Sequence, residues 1–183
     1  MPNTQYDAQM DKHVGGLIRI IPDFPKPGII FKDITPLLAD SKALDDCCQM
    51  LATYATDTDY IAGIEARGFI LAAAVALISG KGFIPIRKSG KLPGKVISQS
   101  YDLEYGKATL EVHADLISAG KRVLIVDDVL ATGGTALAAI DLIEKAGLIP
   151  SAIAFLLEIA PLGGRSRIKT ARPGLQIQTI LAE

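Results

Sequence analysis

The chain has 183 residues, of which 49% are hydrophobic and 21% are charged, a length and composition that suit one globular domain with a substantial core. Its 19 Lys and Arg residues against 20 Asp and Glu residues leave a net charge of −1. This balance argues against a nucleic acid as the main partner, because proteins that bind polyanions carry an excess of positive charge. We therefore expect a single domain over residues 1–183 that binds no nucleic acid.

The sequence contains no segment that predicts membrane insertion or export. Its longest apolar run, Phe69–Ile78, has 10 residues, whereas a membrane-spanning helix needs about 20. The N-terminal segment lacks the apolar centre of a signal peptide. Cys47 and Cys48 are adjacent, so they cannot cross-link distant elements as in secreted disulfide-rich proteins. These features predict a cytoplasmic protein that contacts no membrane.

The first distinctive segment in chain order is Ile21–Gly28, which contains three prolines. Proline fixes its own φ and restricts the residue before it. The segment therefore predicts a stiff, non-helical arm near the N-terminus.

Short apolar runs then alternate with longer helical patterns. The runs are rich in Ile and Val and look buried on both faces, which is typical of parallel strands; they are Tyr60–Ile64, Gly82–Ile86, Arg122–Val126 and Ile153–Leu157. Gly68–Ser79 and Thr135–Ala146 have the length of helices. This alternation predicts an α/β fold with helices on both faces of a parallel sheet, and with ligands bound where loops leave the carboxyl ends of the strands.

A second irregular segment, Gly90–Tyr105, contains Gly, Pro, Ser and Tyr with little apolar periodicity. Connections of this length are usually functional lids or disordered segments. We predict a mobile loop here.

The most informative stretch is Val123–Thr135, in which a predicted strand ends in Asp127 and Asp128 and is followed by Ala131-Thr-Gly-Gly-Thr135. The glycines allow backbone N–H groups to converge on an anion, the threonine hydroxyls add donors, and the next helix presents its positive N-terminal end. Such a loop suits a phosphate monoester. The two carboxylates would repel a phosphate, so we expect them to accept hydrogen bonds from neutral hydroxyls, such as those of a ribose.

Other nucleotide and metal motifs are excluded. A Walker A loop ends in Lys followed by Ser or Thr, but Lys91 is followed by leucine and Lys95 by valine, and no G-x-G-x-x-G sequence follows a predicted strand. His13 and His113 are isolated in the sequence, so we expect no direct protein ligand set for a metal.

The segment Asp127–Thr135 resembles the phosphoribosyl pyrophosphate (PRPP) motif of the type I phosphoribosyltransferases. Four further segments narrow the resemblance to the adenine phosphoribosyltransferases, over about residues 20–162; they are Asp23–Pro36, Gly63–Phe69, Arg87–Pro93 and Tyr101–Gly106. The resemblance implies a Rossmann-like parallel sheet flanked by helices, with a small hood formed by about residues 1–35 and parts of the C-terminal region. It also implies a purine salvage enzyme that transfers the 5-phosphoribosyl group from PRPP to adenine, giving AMP and pyrophosphate.

The resemblance assigns residues to each part of these substrates. PRPP and AMP would contact Asp127, Asp128, Ala131, Thr132, Gly133, Gly134 and Thr135. Adenine would contact Ile30, Phe31, Lys32 and Leu162, with Lys32 at a position where the family commonly has arginine. Glu104 would be the catalytic residue that handles the proton of the purine, and Tyr105 would help to close a lid over the site.

The pyrophosphate of PRPP requires positive charge from other loops at the ends of strands. Arg67 begins a predicted helix after one strand, and Arg87, Lys88 and Lys91 follow the next. A guanidinium and helix N–H groups together suit an anion. Mg²⁺ is the expected cofactor, carried by the phosphates of PRPP, because it keeps several waters and prefers phosphate oxygens to an all-protein cage. The resemblance further implies a homodimer.

Two alternatives remain open. The PRPP motif does not identify the acceptor base, so a transferase for another purine such as hypoxanthine, guanine or xanthine is possible on these residues alone. A PRPP-binding regulator of DNA would need a basic DNA-binding module, for which the neutral single domain leaves little room.

Overall fold

The computed structural model describes residues 12–102 and 106–183. The chain divides into two compact units, Met1–Met50 and Leu51–Glu183. The bounds below are those of the elements within the described residues.

The first unit contains a two-stranded antiparallel hairpin, β1 (Arg19–Pro22) and β2 (Ile30–Asp33). Arg19 and Asp33 are register partners, and Arg19 Nη2 lies 2.5 Å from Asp33 Oδ2. The backbone N–H and the hydroxyl of Thr35 both donate to Asp33 Oδ1. The bonds from Thr35, followed by that from Arg19, lower the pKa of Asp33 to about 2.

The proline-rich segment predicted as an arm forms the end of β1 and most of the turn of this hairpin. In the turn, the backbone N–H of Gly28 donates to Asp23 Oδ1 at 2.7 Å, and both residues have positive φ. The prediction that the segment is non-helical is confirmed. The arm is part of a hairpin, in which β1 and β2 pair along their whole length.

Two helices follow, α1 (Thr35–Ala39) and α2 (Ser41–Ala52). The second buries the thiols of Cys47 and Cys48, neither of which forms a disulfide with another described residue. Burial raises the pKa of the Cys48 thiol to about 11, so this side chain acts as a small apolar group.

The second unit is built on a seven-stranded sheet of order β5-β6-β4-β3-β7-β8-β9. Its strands are β3 (Tyr60–Ile64), β4 (Gly82–Lys88), β5 (Val96–Asp102), β6 (Lys107–His113), β7 (Arg122–Leu130), β8 (Ile149–Glu158) and β9 (Gln176–Ala182). The run from β4 to β9 is parallel, whereas β5 and β6 form an antiparallel pair that joins the end of β4. The predicted α/β fold with a parallel sheet is confirmed.

Helices α3 (Arg67–Ser79) and α4 (Gly134–Lys145) cover opposite faces of this sheet. Ala62 belongs to the buried cluster that includes the apolar residues of α4, whereas a Cβ on its neighbour Gly63 would lie 2.6 Å from Cβ of Ala72 in α3. Adjacent residues of a strand point to opposite faces. The two helices therefore lie on different sides of β3, as the sequence predicted.

The segment Gly90–Tyr105, predicted as a mobile loop, is largely ordered as a strand. Val96–Asp102 forms β5 and pairs residue by residue with β6, and the side chains of Ile97 and Tyr101 pack against the buried cluster. The prediction is wrong over β5 because an edge strand buries few side chains and is stabilised by backbone pairing with a distant segment, which leaves a weak local pattern. Glu104 and Tyr105 lie outside the described residues.

The C-terminal part adds a 3₁₀ turn, Ala160–Leu162, and helix α5 (Gly164–Ala171) between β8 and β9. Among the described residues, no helix is both long enough and apolar enough to cross a membrane.

Candidate active site

The predicted phosphate loop, Ala131–Thr135, connects the carboxyl end of β7 to the start of α4. Gly133 has a φ of 79°, a left-handed conformation that glycine adopts without strain. The loop lines a cleft together with Asp127 and Phe155. The free N–H groups and the dipole at the N-terminus of α4 give this cleft a preference for an anion.

The acid pair lies inside β7 rather than after it, because the strand continues to Leu130. The backbone N–H of Asp128 donates to Asp127 Oδ1 at 2.9 Å, and Gly68 packs so closely that a Cβ there would lie 2.7 Å from the same oxygen. Burial, and then the charge of Asp128, raise the pKa of Asp127 well above its ordinary value. Two carboxyl groups that lie together in a buried place need a cation or hydroxyl donors beside them to offset their charge.

Arg67 supplies such a cation. Its Nε lies 2.7 Å from Oδ2 of the buried Asp128. The sequence assigned Arg67 to pyrophosphate and Asp128 to the ribose, and the structure brings the two together. This contact is possible because β3 and β7 are adjacent parallel strands, so the residues at their carboxyl ends meet at one edge of the sheet.

The basic loop, residues 87–91, was predicted to follow a strand, but it begins within β4, because the strand continues to Lys88. It is held by a carboxylate to which the sequence pattern gave no role. Glu65 accepts hydrogen bonds from Arg87 Nε and Nη2, both at 3.2 Å, and from the backbone N–H of Lys88 at 2.9 Å. These bonds, that from Arg87 first, lower the pKa of Glu65. Arg87 Nη1 also donates to the carbonyl of Lys91 at 3.0 Å. The arrangement fixes the backbone of the loop while Lys88 and Lys91 remain exposed.

A second carboxylate holds the next turn of the same loop. Glu111, which is 7% exposed, accepts hydrogen bonds from the hydroxyl of Ser89 at 2.6 Å and the backbone N–H of Gly90 at 3.0 Å. The signal that could have revealed Glu65 is its position directly after a predicted strand. Glu111 lies within β6, whose pairing with β4 the local pattern did not indicate.

The segment after β8 also contacts the phosphate loop, and this too was missed. Gly164 approaches so closely that a Cβ there would lie 2.2 Å from the carbonyl oxygen of Ala131. Arg167 Nη1 donates to the carbonyl of Thr132 at 3.3 Å. Leu162, predicted to face adenine, lies two residues before Gly164 and is 48% exposed.

One further contact joins the phosphate loop to β5. The hydroxyl of Thr135 donates to the hydroxyl of Tyr101 at 3.3 Å. The sequence indicated Tyr101 only as a side chain that packs in the predicted lid, and it did not indicate this contact with the loop.

The residues predicted to contact adenine in the first unit lie on β2. Ile30 is 59% exposed, and Phe31 packs edge to face against Phe24 with ring centroids 5.1 Å apart. Lys32 is the register partner of Ile20. The strand thus exposes an apolar side chain, Ile30, on one face and carries on the other an aromatic ring, Phe31, of the kind that can stack on a planar ligand.

No group of three or more His, Cys, Asp or Glu side chains suited to holding a metal ion occurs within residues 12–102 and 106–183. A divalent cation at this site would therefore need ligands from a substrate as well as from the protein.

Comparison with known proteins defines the class first. Residues 37–169 match the family model of the phosphoribosyl transferase domain, which covers the loop, the acid pair and the basic segments described above. The adenine phosphoribosyltransferase of Streptomyces coelicolor is 54% identical over 166 residues, covering 90% of this chain and 91% of the relative. That of Kineococcus radiotolerans is 55% identical over 163 residues, covering 88% of each chain.

Solved structures agree with the sequence matches. The adenine phosphoribosyltransferase of Thermoanaerobacter pseudethanolicus is 46% identical with a TM-score of 0.88, covering 94% of this chain and 99% of that one. The Giardia lamblia enzyme, solved with 9-deazaadenine, is 41% identical with a TM-score of 0.87, covering 94% and 97%. This chain belongs to the adenine phosphoribosyltransferase family.

Proposed function

We propose that the protein is a purine salvage enzyme that transfers the 5-phosphoribosyl group of PRPP to adenine, giving AMP and pyrophosphate. The observation that carries the proposal is the juxtaposition of the phosphate loop Ala131–Thr135 with an acid pair that is itself ion-paired to Arg67. A loop suited to an anion, two carboxyl groups suited to hydroxyls and a cation therefore lie together. These are the features that the 5-phosphate, the ribose and the pyrophosphate of PRPP require.

The 5-phosphate binds in the cleft at the start of α4. Backbone N–H groups and the hydroxyls of Thr132 and Thr135 are its donors. The ribose follows, with its 2- and 3-hydroxyls donating to Asp127 and Asp128. The complete PRPP and AMP set is Asp127, Asp128, Ala131, Thr132, Gly133, Gly134 and Thr135.

The pyrophosphate binds to Arg67, Arg87, Lys88 and Lys91. What supports this assignment is the way in which Glu65 fixes Arg87 and the backbone of Lys88, because donors held in place before the reaction stabilise a leaving anion without reorganisation. Arg67 adds positive charge at the start of α3.

Mg²⁺ is the proposed cofactor, and it adds positive charge to the departing pyrophosphate when it is bound with PRPP. Within the protein, Asp127 and Asp128 are the residues near the sugar that would hold its hydration shell. Ligands from the phosphates complete its coordination.

Adenine recognition is assigned by resemblance to Ile30, Phe31 and Lys32 of β2 and to Leu162. The exposed apolar surface of Ile30 and the ring of Phe31 suit a purine face. A lysine at position 32 makes a single-point contact where arginine would make a planar bidentate one.

In the reaction, the bond between C1 of the ribose and the pyrophosphate oxygen breaks as a bond from C1 to N9 of adenine forms. Positive charge develops on the sugar, and the electron pair of the broken bond leaves with pyrophosphate. We assign Glu104 to the transfer of the proton of the adenine imidazole ring. We assign Tyr105 to a lid that excludes water from the activated sugar.

We further propose that the enzyme is a cytoplasmic homodimer whose hood is formed by about residues 1–35 with parts of the C-terminal region. Support for the dimer comes from α3, where Ile70 and Leu77 are exposed by 46% and 84%, an apolar stripe of the kind found at subunit interfaces. The reduced thiols of Cys47 and Cys48 suit a reducing compartment such as the cytoplasm. Light scattering of the purified protein, and of Leu77→Glu, tests the dimer: a monomeric wild type would contradict it.

The experiment that tests the activity mixes the protein with PRPP and Mg²⁺ and offers adenine, hypoxanthine, guanine, xanthine or orotate separately. We expect AMP from adenine and no nucleotide from the other bases. Asp128→Ala, which removes a ribose contact, is the inactive control. Nucleotide from another base would overturn the adenine assignment, and PRPP binding by calorimetry without any product would favour a regulator.

A further inference from the structure

The segment from residue 159 to 167 lies along the phosphate loop and contacts the loop at two points and the preceding residue, Leu130, at a third. The backbone N–H of Ile159 donates to the carbonyl of Leu130 at 2.9 Å, and Arg167 Nη1 donates to the carbonyl of Thr132. Between them, the backbone of Gly164 is packed so tightly that an added Cβ would lie 2.2 Å from the Ala131 oxygen and 3.0 Å from the Gly133 nitrogen. The shape of the loop is therefore linked to the position of this segment.

A partly buried ion pair holds the segment in place. Arg165 follows Gly164 directly. Its Nε donates to Glu158 Oε1 at 3.0 Å and to Oε2 at 2.8 Å, and its Nη2 donates to Oε2 at 2.5 Å. Glu158 is 6% exposed and is the last residue of β8. Arg165 also donates to the hydroxyl of Thr179 at 3.0 Å and to the carbonyl of Ile177 at 2.8 Å, both in β9. The guanidinium thus fixes the residue after Gly164 to two strands of the sheet.

We propose that Arg165 and Glu158 are positioning residues for the substrate site, which act by pressing Gly164 against Ala131 and Gly133. This inference rests on the proposed function, because it assumes that the loop binds the 5-phosphate. The physical reason is that a loop of alanine, threonine and glycine has little side-chain packing of its own. Its N–H groups converge on one point only if a rigid neighbour sets their direction.

The same segment carries Leu162, the residue assigned to adenine. Displacement of Gly164 would therefore move the loop and Leu162 together. The proposal consequently expects a loss of affinity for both substrates, with the larger effect on PRPP.

The chain offers two matched controls. Gly174 lies in an open turn where an added Cβ would meet nothing within 4 Å. Arg172, at the other end of α5, also pairs with carboxylates, those of Asp141 and Glu144 in α4. Substitutions at these positions make the same chemical changes away from the loop.

The test compares Gly164→Ala with Gly174→Ala, and Arg165→Lys with Arg172→Lys. Lysine keeps the charge of Arg165 but cannot bond both Glu158 oxygens and β9 at once. For each variant we would measure the KM of PRPP and of adenine, kcat, the melting temperature, and the Kd of ribose 5-phosphate by calorimetry.

We expect Gly164→Ala and Arg165→Lys to raise the KM of PRPP and the Kd of ribose 5-phosphate by about 10-fold or more, with a smaller change in kcat. The two controls should leave all of these values within about twofold of wild type. Thr179→Val, which removes one acceptor of Arg165 and keeps the side-chain volume, is the mildest variant and should give a partial rise even if the other two fail to fold.

Unchanged KM and Kd values in folded variants would overturn the proposal, as would equal effects in the two controls. A different result would contradict the proposed function. If the wild type binds ribose 5-phosphate but forms no AMP, the transferase assignment is wrong, and the Kd series still decides whether Arg165 positions the loop.

Discussion

Arg67 Nε lies 2.7 Å from Asp128 Oδ2, and this ion pair joins the first residue of α3 to the acid pair of β7. Arg67 follows β3, Asp128 lies near the carboxyl end of β7, and these two strands are adjacent and parallel. A cation assigned to pyrophosphate is thereby oriented by a carboxylate assigned to the ribose. Binding at one part of PRPP is therefore linked to binding at the other.

Substitution of Arg67 tests this link. We expect Arg67→Ala to lower kcat/KM for PRPP by about 100-fold, because it removes a donor to the leaving pyrophosphate and leaves Asp128 without its counter-charge. Steady-state kinetics with varied PRPP measure the effect. Arg122→Ala is the control, since Arg122 lies at the opposite end of β7 and pairs with Asp57; equal losses in both variants would contradict the assignment.

The raised pKa of Asp127 predicts how stability depends on pH. The folded protein holds the proton of this carboxyl more tightly than the unfolded chain does, in which the pKa is near 3.8. The free energy of unfolding therefore falls as the pH rises from 3.8 through the raised pKa of the folded state. Asp127→Asn removes this cost while keeping an oxygen that can accept the Asp128 N–H bond. The variant should therefore be more stable than wild type at pH 7.5, with the difference shrinking in acid, although it should lose activity.

Thermal unfolding of wild type and Asp127→Asn between pH 7.5 and 5 measures this dependence. Asp57→Asn is the control, because the Asp57 side chain is 84% exposed. A stability difference for Asp127→Asn that does not change with pH would show that the buried charge is not its cause.

Glu65 is predicted to act through Arg87 and Lys88. Glu65→Gln retains an acceptor for the Lys88 N–H but loses the ion pair with Arg87. Since a hydrogen bond to a charged group contributes about 1.5–3 kcal/mol, we expect the KM of PRPP to rise by about 10-fold. Glu144→Gln removes a similar partner from Arg172 and should leave that KM unchanged. Identical kinetics in the two variants would mean that Glu65 does not position the basic loop.

Phe155 connects the core to the phosphate cleft, which it lines while being only 1% exposed. Phe155→Ala should lower the free energy of unfolding by about 3–5 kcal/mol, because it removes a buried ring and leaves a cavity. Leu116→Ala, at a surface side chain that is 57% exposed, should change it by no more than about 0.5 kcal/mol. Chemical denaturation of both variants gives the comparison, and a loss below about 1 kcal/mol for Phe155→Ala would show that the core repacks around the site.

Local sequence predicted the elements that depend on neighbouring residues. The apolar run Ile153–Leu157 indicated a buried strand, and it lies within β8. Gly133 and its small neighbours indicated an anion loop, because glycine conformation and a helix N-terminus are properties of a few consecutive residues. The edge strand β5 escaped prediction, since its stability comes from pairing with β6 and its own side chains are only partly buried.

The sequence by itself therefore determined the fold class and the glycine-rich loop at the start of α4, and it predicted which residue types are available for each part of the substrate. Only the tertiary structure decided which of them meet: Arg67 with Asp128, Glu65 with Arg87, and Gly164 with Ala131. Each pair joins segments that are distant in the chain and adjacent in space, and the order of strands in the sheet brings them together. Local patterns carry no record of that order, because hydrophobic burial selects which residues face the core without specifying which strand lies beside which.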